Sequence, residues 1–163
     1  MLSQKMLDAL NDQINAEIYS AYLYLSMSAW ADSCNLKGFA KWFKVQWHEE
    51  LQHAMKYFEY IGERRGQVQL KAIDNPPATW ASPLAAFEAT LEHEQVVTAR
   101  INKLVDLAQA EGDHATRNFL QWFVSEQVEE EAAADEIVQQ LKMIGGSTGS
   151  LFYVDRHLGK RGG

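Results

Sequence analysis

Residues 39–60 read FAKWFKVQWHEELQHAMKYFEY, and this stretch decides the fold. Taken in steps of three and four it gives Phe39, Phe43, Gln46, Glu50, His53, Tyr57 and Tyr60, the spacing of one helix face. That face is apolar at both ends and polar in the middle. The same reading, carried outward, finds three more faces. The first is Leu7, Leu10, Ile14, Glu17, Ala21, Tyr24 and Ser28. The second is Leu84, Phe87, Leu91, Glu94, Thr98, Ile101 and Val105. The third is Leu120, Phe123, Gln127, Glu130, Ala134, Ile137 and Leu141. Each is mainly apolar and carries a carboxylate near its centre.

The breaks between these faces set the architecture. Asp32 to Gly38, Gly66 to Pro83, Gly112-Asp113 and Gly145 to Gly149 divide the chain into helices expected over 4–32, 37–65, 83–111 and 114–144. A short fifth helix is expected over 150–158, before a glycine-rich tail at 159–163. Ser82-Pro83 reads as an N-cap followed by proline at the first helical position, and Asp113 as a second cap. Gly66, Gly112 and Gly145 stand where a left-handed residue closes a helix. The four long helices have nearly thirty residues each, about 42 Å at 1.5 Å per residue. The fold class is therefore all-α: a four-helix bundle, with a fifth short helix, as a single domain over 1–163. The first and second helices, and the third and fourth, are joined by short turns and must be antiparallel. The second and third are joined by about 17 residues, enough to run the length of the bundle and make them parallel.

Composition narrows the function. Of 163 residues, 47% are hydrophobic, and the ten glycines and three prolines are few, so neither a disordered nor a loop-rich chain fits. A net charge of −7 argues against nucleic acid as the main partner and favours cations. No apolar run spans a membrane, and the first ten residues do not form a signal peptide. The single cysteine, Cys34, permits no intrachain disulfide, which suits the cytoplasm.

The four carboxylates lie close to the midpoints of their helices. In a bundle of matched helices, midpoints share one level whichever way the helices run. Glu17, Glu50, His53, Glu94, Gln127 and Glu130 therefore converge in one buried layer. One unpaired buried carboxylate costs several kcal/mol. Four together repel one another, and no Lys or Arg shares their stripes at that level. Two divalent cations close the charge count, with His53 as a neutral nitrogen ligand. Glu50 and His53, three apart, share a helix face. An oxygen-rich set with one imidazole suits iron or manganese, and zinc less specifically.

At these residues the chain resembles the non-haem ferritins of bacteria and archaea, along nearly its whole length. The most specific segments are Gln13 to Tyr22, Trp47 to Ala54 and Asn118 to Glu131. The resemblance implies a ferritin-like four-helix bundle that stores iron. It oxidises Fe(II) with O₂ or H₂O₂ at a di-iron ferroxidase centre within each subunit. Glu17, Glu50 and His53 are then the ligands of a first iron. Glu50, Glu94 and Glu130 hold a second, with Gln127 beside the pair. Glu49, Glu126 and Glu129, with Glu130 shared, form a third iron site. The resemblance gives Tyr24 a place beside the pair as an electron donor. It also implies a hollow homo-oligomeric cage of 24 subunits. Helix 150–158 is expected to meet its counterparts in that cage, and some of Tyr22, Trp30, Trp42, Trp80 and Phe152 to lie between subunits.

Relatives differ at identifiable positions. A bacterioferritin has a haem-ligating Met where Leu51 stands, and a second Glu-x-x-His where Ala133 follows Glu130, so no haem is expected in the bundle. A rubrerythrin adds a Cys-x-x-Cys domain, which one cysteine excludes. The alternative is a soluble di-iron redox enzyme without a storage role.

Overall fold

Small polar side chains start four of the five helices in this computed structural model, which describes residues 1–162. The helices are α1 (Gln4–Ser33), α2 (Lys37–Glu63), α3 (Pro83–Ala110), α4 (His114–Ile144) and α5 (Thr148–Leu158). Ser3, Ser82, Asp113 and Ser147 each accept a hydrogen bond from the backbone N–H three residues on. Such a cap is worth about 1 kcal/mol. The described residues contain no strand. Gly163, the last residue of the expected tail, lies outside them.

The helix ends agree with the expected bounds to within two residues, but one closing residue differs. Gly112 closes α3 with φ 65°, and Gly145 follows α4 with φ 55°, as expected. After α2 the positive φ falls on Arg65, at 60°, and not on Gly66. Gly66 is needed there for space. A Cβ at Gly66 would lie 2.8 Å from Leu7 Cδ1 and 2.9 Å from Ile61 Cγ2.

Contacts between helix ends fix the topology. Ser3, at the start of α1, donates to Glu111, just beyond α3. Arg64, just beyond α2, pairs with Asp113, which caps α4. One end of the bundle therefore gathers the start of α1 and α4 and the end of α2 and α3, so α2 and α3 are parallel. The crossover runs up the side of α1. Asn11 bonds the backbone of Gln67 and Gln69, Asn15 bonds Ala72, and Ser26 bonds Pro77.

The apolar core is split in two. One cluster includes Tyr24, Met27, Phe39, Phe43, Phe87 and Leu141. The other includes Leu10, Ile14, Tyr57, Ile101, Leu120 and Phe123. The expected stripes of α2 and α4 are buried at every position. On α1, Met6 is buried in place of Leu7. On α3, Leu84, Leu91, Thr98 and Val105 are only half-buried, and Ala86, Thr90, Val97 and Leu104 complete the inner face with Phe87, Glu94 and Ile101.

The fifth helix folds onto its own bundle. Val154 and Leu158 join the first core cluster, which also takes in Trp42, expected on the outside but buried. Trp30 and Trp80 pack edge to face at 5.6 Å, while Tyr22, Phe152 and Tyr153 remain exposed. Helix α2 has no side-chain cap of its own. Asp155 supplies one, because its Oδ1 accepts from Phe39 N at 2.9 Å, near the positive end of the α2 dipole. This contact requires glycine at 38, where a Cβ would stand 1.6 Å from Asp155 O. Gly38→Ala is therefore expected to push α5 off α2 at a cost of about 2 kcal/mol or more. Limited proteolysis should show faster cleavage at residues 145–149, and the thermal midpoint should fall by roughly 5 °C. Unchanged cleavage and midpoint would show that α5 docks without this close approach.

Candidate metal centre

Between the two apolar clusters lies the polar layer. Glu17 on α1, Glu50 and His53 on α2, Glu94 on α3, and Gln127 and Glu130 on α4 are all buried. Two groups of three possible ligands share Glu50. In one, Glu17, Glu50 and His53 offer atoms within 4.8 Å of one another; in the other, Glu50, Glu94 and Glu130 do. His53 Nδ1 stands 3.3 Å from Glu50 Oε2 and 3.9 Å from Glu17 Oε2.

Neutral amides hold the carboxylates. Gln13 donates to Glu17 Oε1 at 2.9 Å. Gln46 donates to Glu50 Oε1 at 3.3 Å and to Glu130 Oε2 at 2.5 Å. Gln127, expected beside the metal pair, uses its Nε2 to hold Glu94, at 3.1 Å from both Glu94 O and Oε2, and reaches Thr98 Oγ1 at the same distance. Tyr24 donates its phenol proton to Glu94 Oε1. His93 packs edge-on against Tyr24 at 6.0 Å. Burial pushes His93 down to about 4, so it stays neutral.

No lysine or arginine is buried in the layer. Burial, reinforced by the Glu50 charge, raises Glu17 well above the usual carboxylate range. Burial and then the Glu94 charge raise Glu50 likewise. Glu94 is raised by burial, although the bonds from Tyr24 and Gln127 work against it. Burial and the Glu94 charge push Glu130 up to about 8. Tyr24 is raised by burial and by Glu94 and keeps its proton. Glu17 Oε2 is buried without a hydrogen-bond partner. An acceptor oxygen left open beside an imidazole and a second carboxylate fits a divalent cation, and oxygen with one nitrogen fits Fe(II).

The expected outer set is only partly assembled. Glu126 Oε1 lies 3.9 Å from His53 Nε2, and these two form a third group with Glu130. Glu129 is exposed and joins no such group among the described residues. Glu49 is half-buried, and its Oε2 accepts from Arg161 at 2.9 Å. Trp122 sits edge-on to His53 at 5.4 Å.

Three contributors were not singled out from sequence. Gln13 and Gln46 each precede a layer glutamate by four residues, so Gln-x-x-x-Glu recurs on α1 and α2, a one-turn spacing that marks hydrogen-bonded pairs. Arg161 follows α5 and shows no pattern linking it to the layer.

The ferritin-like domain family matches residues 7–144. The chain is 45% identical to a bacterial non-heme ferritin of Bacteroides fragilis over 161 residues, 99% of this chain and all of that one. It is 42% identical to a bacterial non-heme ferritin of Campylobacter jejuni, over 97% of this chain and 95% of that one. Among solved structures it is similar to an open pore ferritin of the hyperthermophilic archaeon Archaeoglobus fulgidus. Identity there is 57%, the TM-score is 0.98, and 99% of each chain is covered.

Proposed function

The chain belongs to the ferritin family, and on that premise we propose that it takes up Fe(II) as a substrate, oxidises it in the buried layer and stores the ferric product inside a hollow assembly of its own copies. The observation that carries this reading is the pair of three-ligand groups sharing Glu50, buried in a layer without a lysine or arginine.

In this reading Glu17, Glu50 and His53 bind one Fe(II), and Glu50, Glu94 and Glu130 bind the other. Four carboxylates balance two Fe(II) once their protons leave, so binding releases protons that burial held in place. Each iron then gives up one electron. O₂ takes two electrons and two protons and leaves as H₂O₂, or H₂O₂ takes two electrons and two protons and leaves as two waters. The ferric pair carries two more positive charges than the ligands balance, so water in the site loses protons. Gln127 holds Glu94 without adding negative charge, which favours release of Fe(III) over its retention. Where only one of the two positions holds Fe(II), Tyr24, bonded to Glu94, can supply the second of the two electrons while Glu94 takes its proton. Glu49, Glu126 and Glu129 form the outer iron position in this proposal.

The assembly is a cage of 24 copies, roughly 440 kDa for an 18.5 kDa chain. Exposed Tyr22, Phe152 and Tyr153 supply apolar surface for contacts between copies. No helix among the described residues is long and apolar enough to cross a membrane, and exposed Cys34 suits a reducing cytoplasm. The chain acts as one domain over residues 1–163. Aerobic Fe(II) loading followed by size-exclusion chromatography with iron detection tests the proposal. Iron should elute with a particle of several hundred kilodaltons, in amounts far beyond three per subunit. Iron held at two per chain in a small species would favour a soluble di-iron redox enzyme instead.

A further inference from the structure

Beyond α5 the chain turns back toward the layer and delivers one side chain to its edge. The Arg161 guanidinium lies over the Trp42 ring, 4.3 Å from its centroid. Its Nη1 donates to Trp42 O at 3.3 Å, and its Nη2 donates to Gln46 Oε1 at 2.8 Å and Glu49 Oε2 at 2.9 Å. Among the described residues it is the only Lys or Arg paired with a carboxylate of the expected iron-binding set.

These contacts tie Arg161 to the site in two ways. A guanidinium only donates, so Gln46 must present its oxygen to Arg161 and its Nε2 to Glu50 and Glu130. Glu49 in turn lies close enough to Glu130 for its charge to be felt there. A cation resting between Glu49 and the group of His53, Glu126 and Glu130 would meet the positive charge of Arg161 on one of its own ligands.

We infer that Arg161 is a tethered cation that competes with a metal ion for Glu49 and so sets the affinity of the outer position. The docking of α5 on Gly38 brings it there, and the Trp42 ring beneath the guanidinium holds it against α2. When Glu49 turns to a metal ion, Arg161 keeps Gln46 Oε1 and Trp42 O. The ion therefore displaces one contact of the guanidinium and leaves the others in place.

This inference rests on the proposed ferritin function, and anaerobic titration of the assembled protein with Fe(II) alone, followed by calorimetry, separates the two. Arg161→Gln is expected to tighten the weakest Fe(II) site about tenfold and to change the two tighter sites far less, because a unit charge beside Glu49 is removed while Gln46 loses one contact. Arg161→Lys should fall between, since an ammonium keeps the positive charge near Glu49 but lacks the planar fork that reaches Gln46, Glu49 and Trp42 O together. Adding Glu49→Gln to each protein should erase the difference between them. Equal affinity of the weakest site in the wild-type and Arg161→Gln proteins overturns the inference. So does a difference that persists with Glu49→Gln, because Arg161 then acts only by anchoring α5. A Glu50→Ala protein that keeps both tight sites sinks the underlying assignment instead, whatever Arg161 does.

Discussion

Fast Fe(II) oxidation is expected to fall by about a hundredfold or more in a Glu50→Ala protein that keeps its helical content and assembly. Glu50 belongs to both three-ligand groups, so its removal leaves each with two ligands. His53→Ala removes a ligand from only one of the tight groups, and should cost somewhat less in the first turnover. Stopped-flow absorbance at two Fe(II) per subunit measures the rate, and circular dichroism checks the fold. The fold should hold because neither side chain is a member of the apolar clusters on either side of the layer, and the His53 ring only edges onto Phe123. Wild-type rates in both variants would show that oxidation happens elsewhere.

The second large effect is an inverted pH dependence of the metal-free protein. Glu17, Glu50, Glu94 and Glu130 all hold their protons more tightly folded than unfolded. For such groups folding is favoured most below the unfolded value, near 4.5, and stability is lost as pH rises toward the folded value, about 8 for Glu130. A shift of that size on a buried group corresponds to several kcal/mol. The thermal midpoint of the metal-free protein should therefore drop by roughly 10 °C between pH 5 and pH 8. Asp113 is lowered despite its burial by bonds from Thr116 and Arg64, so it acts below this window; His93, held down to about 4 by burial, works against the trend below pH 6.5 but is one group against four. A redox-inert divalent cation such as Zn²⁺ at pH 8 should recover the lost stability, because it binds only the folded layer. A midpoint that is flat or rises from pH 5 to pH 8 would mean that the carboxylates ionise freely inside the bundle.

The bundle and its layer were legible because mid-helix position is a property of helix length alone. Glu17, Glu50, Glu94 and Glu130 could be brought to one level without any contact being known. The frame of α3 was harder to read. Apolar residues flank Glu94 on two adjacent rows, Leu91 and Val105 on one and Val97 and Leu104 on the other, and steps of three and four drift between them along the helix. Trp42 read as external because helical spacing reports one face, whereas α5 covers a second. The acidic run 129–131 divides between faces. Successive residues turn about 100° around a helix, so Glu130 faces inward with Glu126 one turn before it, and Glu129 faces away. Arg161 was invisible for a different reason: its role follows from where α5 docks, and that depends on Gly38 and Asp155, more than a hundred residues apart.

The two metal-binding groups divide unequally between the helical hairpins. Glu17, Glu50 and His53 all come from α1 and α2, joined by a tight turn at Asn35, and so assemble within one hairpin. Glu94 and Glu130 come from α3 and α4, and meet Glu50 only when the second hairpin, tethered by the long crossover, closes against the first. The repulsion of Glu50 by Glu94 and Glu130 therefore falls on that closing step. A cation held by Glu50, Glu94 and Glu130 spans the seam between the hairpins and acts as a rivet, while one held by Glu17, Glu50 and His53 belongs to a single hairpin and fastens nothing across the seam.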